Sequence, residues 1–492
     1  MAEGYLGMLL VKGEGVPRDV AKGIRLLRHS ASNGCLPAMS QLGFIYLGVD
    51  GVPADPLEAL KWLSPAAEQG VPTAQYNLAR CYELGIGVAA NLDQAIVWYQ
   101  KGAEQTNPPA MKAMGVLYLN GNGIKRDYGL AEQWLKRAIE HGHKRAKYAL
   151  GRVYLEKQLG TNGVESGVRL IREMALEGDG EAQWSLAVCY YLGQGLSRDE
   201  TNYLHWARMA AERGIPEAQF KLSAAFATGW LVEPDKVAAR EWVEKAARQN
   251  HARACVSFGW MLANGDGGPK DIAAGNEWLR KGAEQGDPEG QFRWALAHLN
   301  GLGMKTNEVE GLRWVRRAAE AEWPIAEYAL ASYYSVGWYG LPKDRLESLK
   351  WIQRAAEHGE MNAQFYLATY YLYGREIPKG QDIAKNMSQA VRWFRLAAEQ
   401  GHAEAQNSIG YACETGHVGY TNYVEAYMWY QLAQKQGETR SSMNLQRLMS
   451  RLGSEDVAEG ERRIEEFTRR RRESFKLVSP STIQQNSSGK AR

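Results

Sequence analysis

Small and apolar residues along this chain recur at spacings of four, break at glycine, and then resume in a second run. Ala38 precedes Leu42-Gly43, Ala74 precedes Leu78-Ala79, and Ala146 precedes Leu150-Gly151. A tyrosine follows the Leu by four positions at Tyr46, Tyr82, Tyr118, Tyr154, Tyr190 and Tyr334. Spacings of four lie on one face of a helix, and the small residue beside the Leu lets a neighbouring helix come close. A glycine turn follows, as in GEGV at Gly13, GIGV at Gly85 and GQGL at Gly193, where tight connections need positive φ. Asp or Asn then stands at positions 19, 55, 91, 127, 199, 235, 271, 307, 344, 386 and 422, and only Gly163 interrupts the series. A side-chain oxygen there caps the free N–H groups of the next helix. The second run carries a Trp seven residues later and closes on an Ala pair such as Ala66-Ala67. It stops at Gly34, Gly70, Gly142, Gly178, Gly214, Gly286, Gly359, Gly401 or Gly437, a helix C-terminal signal.

The pattern therefore predicts helix, turn, helix, turn, with a period of 36 residues. Trp62, Trp98, Trp134, Trp206, Trp242, Trp278 and Trp314 fall on that period, with Leu26 and Leu170 in the same slot. Trp351, Trp393 and Trp429 continue it at spacings of 37, 42 and 36. Twelve copies in register mark a repeat architecture. A fully packed Trp hides roughly 150–250 Å², which is about 4–6 kcal/mol at ~25 cal/mol per Å². No single copy can bury it, so stability accumulates between neighbours. On this pattern Trp242→Ala is expected to cost about 3–5 kcal/mol, and Trp338→Ala, in a turn, much less.

The stretch AQYNLARCYELGIGV…AIVWYQKGAEQ and its eleven counterparts resemble the Sel-one-like repeat (SLR) family, relatives of the tetratricopeptide repeats, over about residues 2–437. The resemblance implies an all-α fold, a right-handed α/α solenoid of about twelve helix-turn-helix repeats. It also implies a role in protein–protein interaction, often as a bacterial scaffold or adaptor, and no chemistry. Repeat five departs most, with Leu170 for Trp and LGTNGVES as its turn.

At 492 residues the chain could hold several domains, but unbroken register argues for one elongated solenoid over residues 2–437. Two further helices, SSMNLQRLMSRL and SEDVAEGERRIEEF with Ser454 as the capped start of the second, are expected to seal its apolar end over residues 438–478. Residues 479–492 read as a disordered tail on composition. The charge is +3 overall. Residues 438–492 hold 12 of the 59 Lys and Arg and 8 of the 56 Asp and Glu, leaving 47 against 48 in the repeats. A near-neutral solenoid does not point to a polyanion, so nucleic acid is not the expected partner. The five cysteines follow no regular pairing. Cys81 and Cys189 share a slot three copies apart, too far for a disulfide, and apolar buried thiols favour a reducing compartment. GYLGMLLV lacks the basic lead of a signal peptide and runs straight into repeat one. No transmembrane span is expected. The cytoplasm is favoured on this sequence, with a periplasmic or secreted location if an upstream signal is missing.

No HExxH, CxxC, GxxxxGK[ST] or GxSxG pattern occurs, so no catalytic residue, metal, cofactor or small-molecule substrate is expected. His143, His251 and His402 just after the inter-repeat Gly or Asn, and His141 and His358 just before it, read as solvent-facing turn residues. The Arg469–Arg472 run could touch nucleic acid or anionic lipid, but the favoured reading is that, near a helix C-terminus, it complements the helix dipole. Two positions before the Leu slot, Tyr76, Tyr148, Trp184, Phe220, Phe292, Tyr328 and Phe365 form an aromatic series. By analogy with tetratricopeptide repeats they face a concave groove, although packing between repeats would explain them too. Arg80, Arg152 and Trp260 lie four residues further along and differ between copies, as residues that read a partner should. Insertions at SVGWYGLPKD and YGREIPKGQDIAKN mark loops that can also bind. The expected function is a non-catalytic scaffold binding a protein or peptide on the concave face. The alternatives are a nucleic-acid-binding helical repeat, or an envelope or secreted factor binding a host or envelope component.

Overall fold

Glycine exits, Asp and Asn caps and apolar faces at spacings of four produce helices throughout. A computed structural model of the chain describes residues 2–157, 160–374 and 385–477, and 26 helices with no strand lie among them. The fold is an all-α repeat solenoid, and its contacts divide into two compact units, residues 1–210 and 211–492.

The first unit pairs α1 (Ala2–Lys12) with α2 (Val20–Ser32), α3 (Leu36–Ile45) with α4 (Pro56–Glu68), and α5 (Pro72–Leu84) with α6 (Leu92–Glu104). It continues with α7 (Pro108–Asn120) and α8 (Tyr128–Glu140), α9 (Ala146–Glu156) and α10 (Gly160–Leu176), α11 (Gly180–Leu192), and the start of α12 (Glu200–Glu212). The second unit pairs α13 (Pro216–Thr228) with α14 (Lys236–Arg248), α15 (Ala252–Asn264) with α16 (Ile272–Glu284), and α17 (Pro288–Asn300) with α18 (Glu308–Glu320). Next come α19 (Pro324–Val336) with α20 (Arg345–Glu357), α21 (Met361–Tyr373) with α22 (Met387–Glu399), and α23 (Ala403–Thr415) with α24 (Tyr423–Lys435). Both α25 (Thr439–Met449) and α26 (Ser454–Leu477) pack on α24. α26 begins at Ser454, and Asp456 reaches back to accept from the Gly453 N–H at 3.0 Å.

All eleven Asp and Asn positions cap second helices. Asp55 accepts from the Glu58 N–H at 3.0 Å, and Asn307 from that of Glu310 at 3.1 Å. At Gly163 the cap is missing, and α10 begins three residues earlier, at Gly160, and runs for 17 residues. The small residue beside the Leu does bring helices together. A Cβ on Gly259 would lie 2.7 Å from the Gly275 carbonyl oxygen, so α15 and α16 touch backbone to backbone there. Where the exit glycine is replaced, Thr106, Asn250 and Glu322 take φ of 62°, 59° and 60°, a conformation that side chains other than Gly adopt at a cost.

The repeated Trp is less buried than full packing implies. Trp62, Trp98, Trp134, Trp242, Trp278 and Trp351 are only half-buried, whereas Trp206, Trp314, Trp393 and Trp429 are buried. In all of the half-buried set but Trp62, the open ring face is covered by a cation three residues on. Lys101 stands 4.2 Å from Trp98, Arg137 4.6 Å from Trp134, Lys245 3.9 Å from Trp242, Lys281 3.9 Å from Trp278 and Arg354 4.7 Å from Trp351. Such cation–π contacts hold the edge of the ring in place while its charge stays in water.

A second device explains the recurring Ala-Gln and Glu-Gln-Gly phrases. Gln75 donates to the Ala67 carbonyl at 3.1 Å, and Gln105 donates to the Gln75 side-chain oxygen at 2.8 Å, so one relay joins α4, α5 and α6. Gln249, Gln219 and Ala211 repeat it in the second unit, as do Gln436, Gln406 and Ala398. Repeat ten carries a charged version, in which the fully buried Glu327 is held by Arg354 at 3.1 Å and His358 at 2.8 Å. His358 is thus a buried-carboxylate partner and not a free turn residue. In α17 the relay is broken, because Ala321 stands where Gln would donate, and the buried Gln291 Oε1 has no partner. Ala321→Gln should satisfy it and raise stability by roughly 0.5–1.5 kcal/mol. Chemical denaturation checks this; an unchanged midpoint would show that the relay contributes nothing.

Candidate partner-binding face

Some first helices begin at side-chain caps of their own, whereas α3, α5, α9, α13 and α19 have none. Asn107, Asp179 and Asp287 accept from the N–H three residues on at 2.8–3.0 Å. His251 and His402 do the same through Nδ1, to Ala254 at 3.1 Å and Ala405 at 3.3 Å. Both rings are half-buried and stacked on an aromatic of the preceding repeat, His251 on Phe220 at 5.2 Å and His402 on Phe365 at 4.2 Å. They are helix caps, which corrects their reading as solvent-facing turn residues. His143 is half-buried too, and burial holds it below the ordinary imidazole range.

Burial also lowers the His402 imidazole, and its Nδ1 must stay unprotonated to accept from Ala405. Glu404 opposes the shift. In the unfolded chain the ring titrates near about 6.5, so the unfolded state takes up the proton first. This contribution to stability is complete above about pH 6.5 and is lost as pH falls toward the lower folded value. His402→Asn, which caps without titrating, should flatten the stability profile of the second unit below about pH 6.5. Profiles that coincide would show that His402 does not govern it.

Of the expected aromatic series only Phe220 is buried; the other six are half-buried, with neighbours within or between repeats. Tyr76 packs at 5.8 Å from Tyr99, and burial raises its phenol pKa. Tyr148 shares a hydrogen bond with Ser185 at 3.0 Å, and Trp184 faces Tyr203 at 6.5 Å. Phe220 is 2 % exposed, Phe292 packs on the cluster around Trp294 and Trp314, and Phe365 sits between His402 and Phe394. Tyr328 stacks on Tyr366 with centroids 6.1 Å apart. The three positions further along reach outward to different degrees. Arg80 is exposed; Arg152 is half-buried and donates to Glu156 at 2.9 Å and Asn120 at 3.4 Å. Trp260 is half-buried, with the Arg293 guanidinium 3.9 Å from its ring centre.

Around Trp260 the structure assembles a cleft of about 150 Å³ across α13, α15 and α17. Phe220, Ser223, Ser257, Trp260 and Arg293 line it, as do Lys236 and Asp266, which pair at 2.9 Å. Arg293 is fixed by Glu289 at 2.7 Å, and burial raises the Glu289 carboxyl despite that cation. Arg293 and Glu289 were not evident from the sequence. Their signal was available: the position before the Leu slot holds a cation only at Lys221 and Arg293 among copies that otherwise carry Gln, Asn, Ala, Ser or Tyr. Arg80, Arg152, Tyr76, Tyr148 and Trp184 belong to the first unit and Phe220, Trp260, Phe292, Tyr328 and Phe365 to the second.

The first unit carries its own larger cleft, about 720 Å³, lined chiefly by apolar groups of α1, α2 and α3 that include Tyr5, Met8, Leu27, Pro37 and Ala38. Cys35 also lines it, and a hydrogen bond with Ser30 lowers its thiol pKa, whereas burial pushes Cys81 and Cys189 up to about 11. All five cysteines are free. Among the described residues no cluster of His, Cys, Asp and Glu could hold a metal ion, and no helix is long and apolar enough to cross a membrane. Residues 375–384, the core of the long insertion in repeat eleven, lie outside the described residues, as do residues 478–492 of the C-terminal tail.

The Sel1 repeat matches the chain eleven times, over residues 1–35, 36–71, 72–107, 108–143, 180–215, 216–251, 252–287, 288–322, 324–360, 362–402 and 403–438. A protective antigen present in uropathogenic Escherichia coli strains, displaying an SLR fold, is similar at 27 % identity with a TM-score of 0.54, covering 95 % of this chain and 98 % of that one. A Sel1 repeat protein from Oxalobacter formigenes is similar at 30 % identity, covering 68 % of this chain and 93 % of that one, with a TM-score of 0.45. Over 66 residues the chain is 38 % identical to a chitin synthase regulator, SKT5, of Malassezia restricta. That match spans 13 % of this chain and only 5 % of the regulator's length.

Proposed function

The chain belongs to the Sel1 repeat family, and from that premise we propose that it is a non-catalytic adaptor whose first helices hold a segment of a partner protein. Sel1 and tetratricopeptide-like repeats are typical of protein–protein interaction scaffolds. The observation that carries the reading is the Trp260–Arg293 pair at the mouth of the cleft on α13, α15 and α17. Trp and Arg dominate interface energetics when they stand together in a partly desolvated pocket. Both differ from the residues in equivalent slots of neighbouring repeats, whereas the Gln relay and the Trp–cation contacts recur. Recurring features hold repeats together; the differing ones are free to read a partner. Because Glu289 already fixes Arg293, little ordering cost opposes binding. The near-balanced charge of the repeats favours a protein over a polyanion.

A photo-crosslinking residue placed at Ser257, in the cleft, should capture a discrete partner in the native host. The same residue at Glu241, on the second-helix side, should not. Equal capture from both positions would remove the cleft from consideration.

A further inference from the structure

The aromatic slot of the first helices holds no ring in the first two repeats. Gly4 and Ser40 stand where seven later copies carry Tyr, Trp or Phe, and nowhere else do two consecutive copies lack the ring. A ring in that slot packs on the residue that opens the next first helix. Phe220 stacks on His251, 31 positions on, at 5.2 Å, and Phe365 stacks on His402 at 4.2 Å. The counterparts of those histidines are Cys35, 31 positions after Gly4, and Val71, 31 positions after Ser40, at the starts of α3 and α5. Gly4, Ser40, Cys35 and Val71 all line the cleft of about 720 Å³ in the first unit. Its space is therefore the space that absent rings leave. Val256, which also puts no ring in this slot, lines the smaller cleft beside Trp260.

We infer that the larger cleft binds a planar, uncharged aromatic small molecule of more than one ring, with one hydrogen-bonding group. Mostly apolar cavities of about 300–1,000 Å³ with a few placed polar groups are the size and make-up of small-molecule sites. A single side chain of a docked protein would fill only part of this one. Two sulfurs line it, those of Met8 and Cys35, and sulfur packs favourably against aromatic rings. All its lining residues are uncharged, so a charged ligand would lose water without gaining a partner. Ser40 and Thr73 engage each other at 2.9 Å. Gln41 is half-buried in the lining, and among the described residues nothing bonds its amide. That amide both donates and accepts, and it meets the polar group of the ligand. The site belongs to the first unit and does not depend on the adaptor reading, which rests on the second.

Cys35 reports occupancy. It is half-buried where the other four cysteines are buried, and a hydrogen bond with Ser30 holds its thiol below the ordinary range, whereas burial pushes Cys413 up to about 12. Iodoacetamide should therefore label Cys35 first, because the thiolate is the nucleophile. On the full chain 2-naphthol should protect Cys35, read by mass spectrometry of the labelled peptide. Its midpoint should lie at least about tenfold below that of decahydro-2-naphthol, the same skeleton without flat rings. Ser40→Phe, which restores a ring to the slot, should abolish protection without lowering the melting temperature, while Ser40→Ala keeps the cleft open and the protection intact. If Ser40→Phe does not fold, Met8→Trp fills the same space and should give the same loss. No protection by 2-naphthol, equal midpoints for the two probes, or protection that survives the filled cleft overturns the proposal. Protection by a capped Gly-Trp-Gly peptide in place of 2-naphthol makes the cleft a docking point for a partner's side chain, and it too overturns the small-molecule assignment.

Discussion

Trp314→Ala should destabilise the second unit by about 3–5 kcal/mol, while Trp242→Ala costs roughly 2 kcal/mol and Trp338→Ala under about 1 kcal/mol. All three are tryptophans, so the order isolates burial. Trp314 is 7 % exposed and packs among Val315, Leu330 and Tyr333, where its loss leaves a cavity that rigid helices cannot close. Trp242 occupies the same repeat slot but is half-buried, with Lys245 across its open face at 3.9 Å, so truncation removes less apolar area. Trp338 lies in a turn, 52 % exposed. Chemical denaturation of the three variants measures the series. If Trp242→Ala costs as much as Trp314→Ala, the slot and not the burial sets the contribution, and the cation does not replace packing.

Truncating the cleft should weaken partner binding by at least about tenfold, equivalent to ~1.4 kcal/mol. Trp260→Ala alone should suffice, since it removes an aromatic lining residue while leaving the Glu289–Arg293 pair closed. Arg293→Ala is the wrong complement, because it would strand a buried carboxylate and lower stability. Glu289→Gln with Arg293→Gln removes both charges together, and it should reduce affinity without a large fall in melting temperature. Arg152→Ala should not matter to this cleft: Arg152 belongs to the first unit and is already engaged by Glu156 and Asn120. Binding measured by titration calorimetry against the crosslinked partner decides it. Undiminished affinity for Trp260→Ala would move the site elsewhere on the chain.

The local grammar of the chain was legible from its residues. Each Asp or Asn cap answers to an N–H two or three residues away, and each exit glycine to its own φ, so position within the repeat specifies them. The period alone therefore settled the helices, their order and the repeat family. Where the cap residue was absent, at Gly163, the helix duly began elsewhere. The tertiary structure alone decided which side chains meet between repeats. The Gln105–Gln75 and Trp260–Arg293 contacts join residues 30 and 33 positions apart, and His402 turns inward because Phe365, a full repeat earlier, offers a ring to stack on. Sequence spacing fixes which face a residue occupies on its own helix. How deeply that face is covered depends on the side chains of the neighbouring repeats, which is why ten tryptophans in one slot divide into buried and half-buried sets.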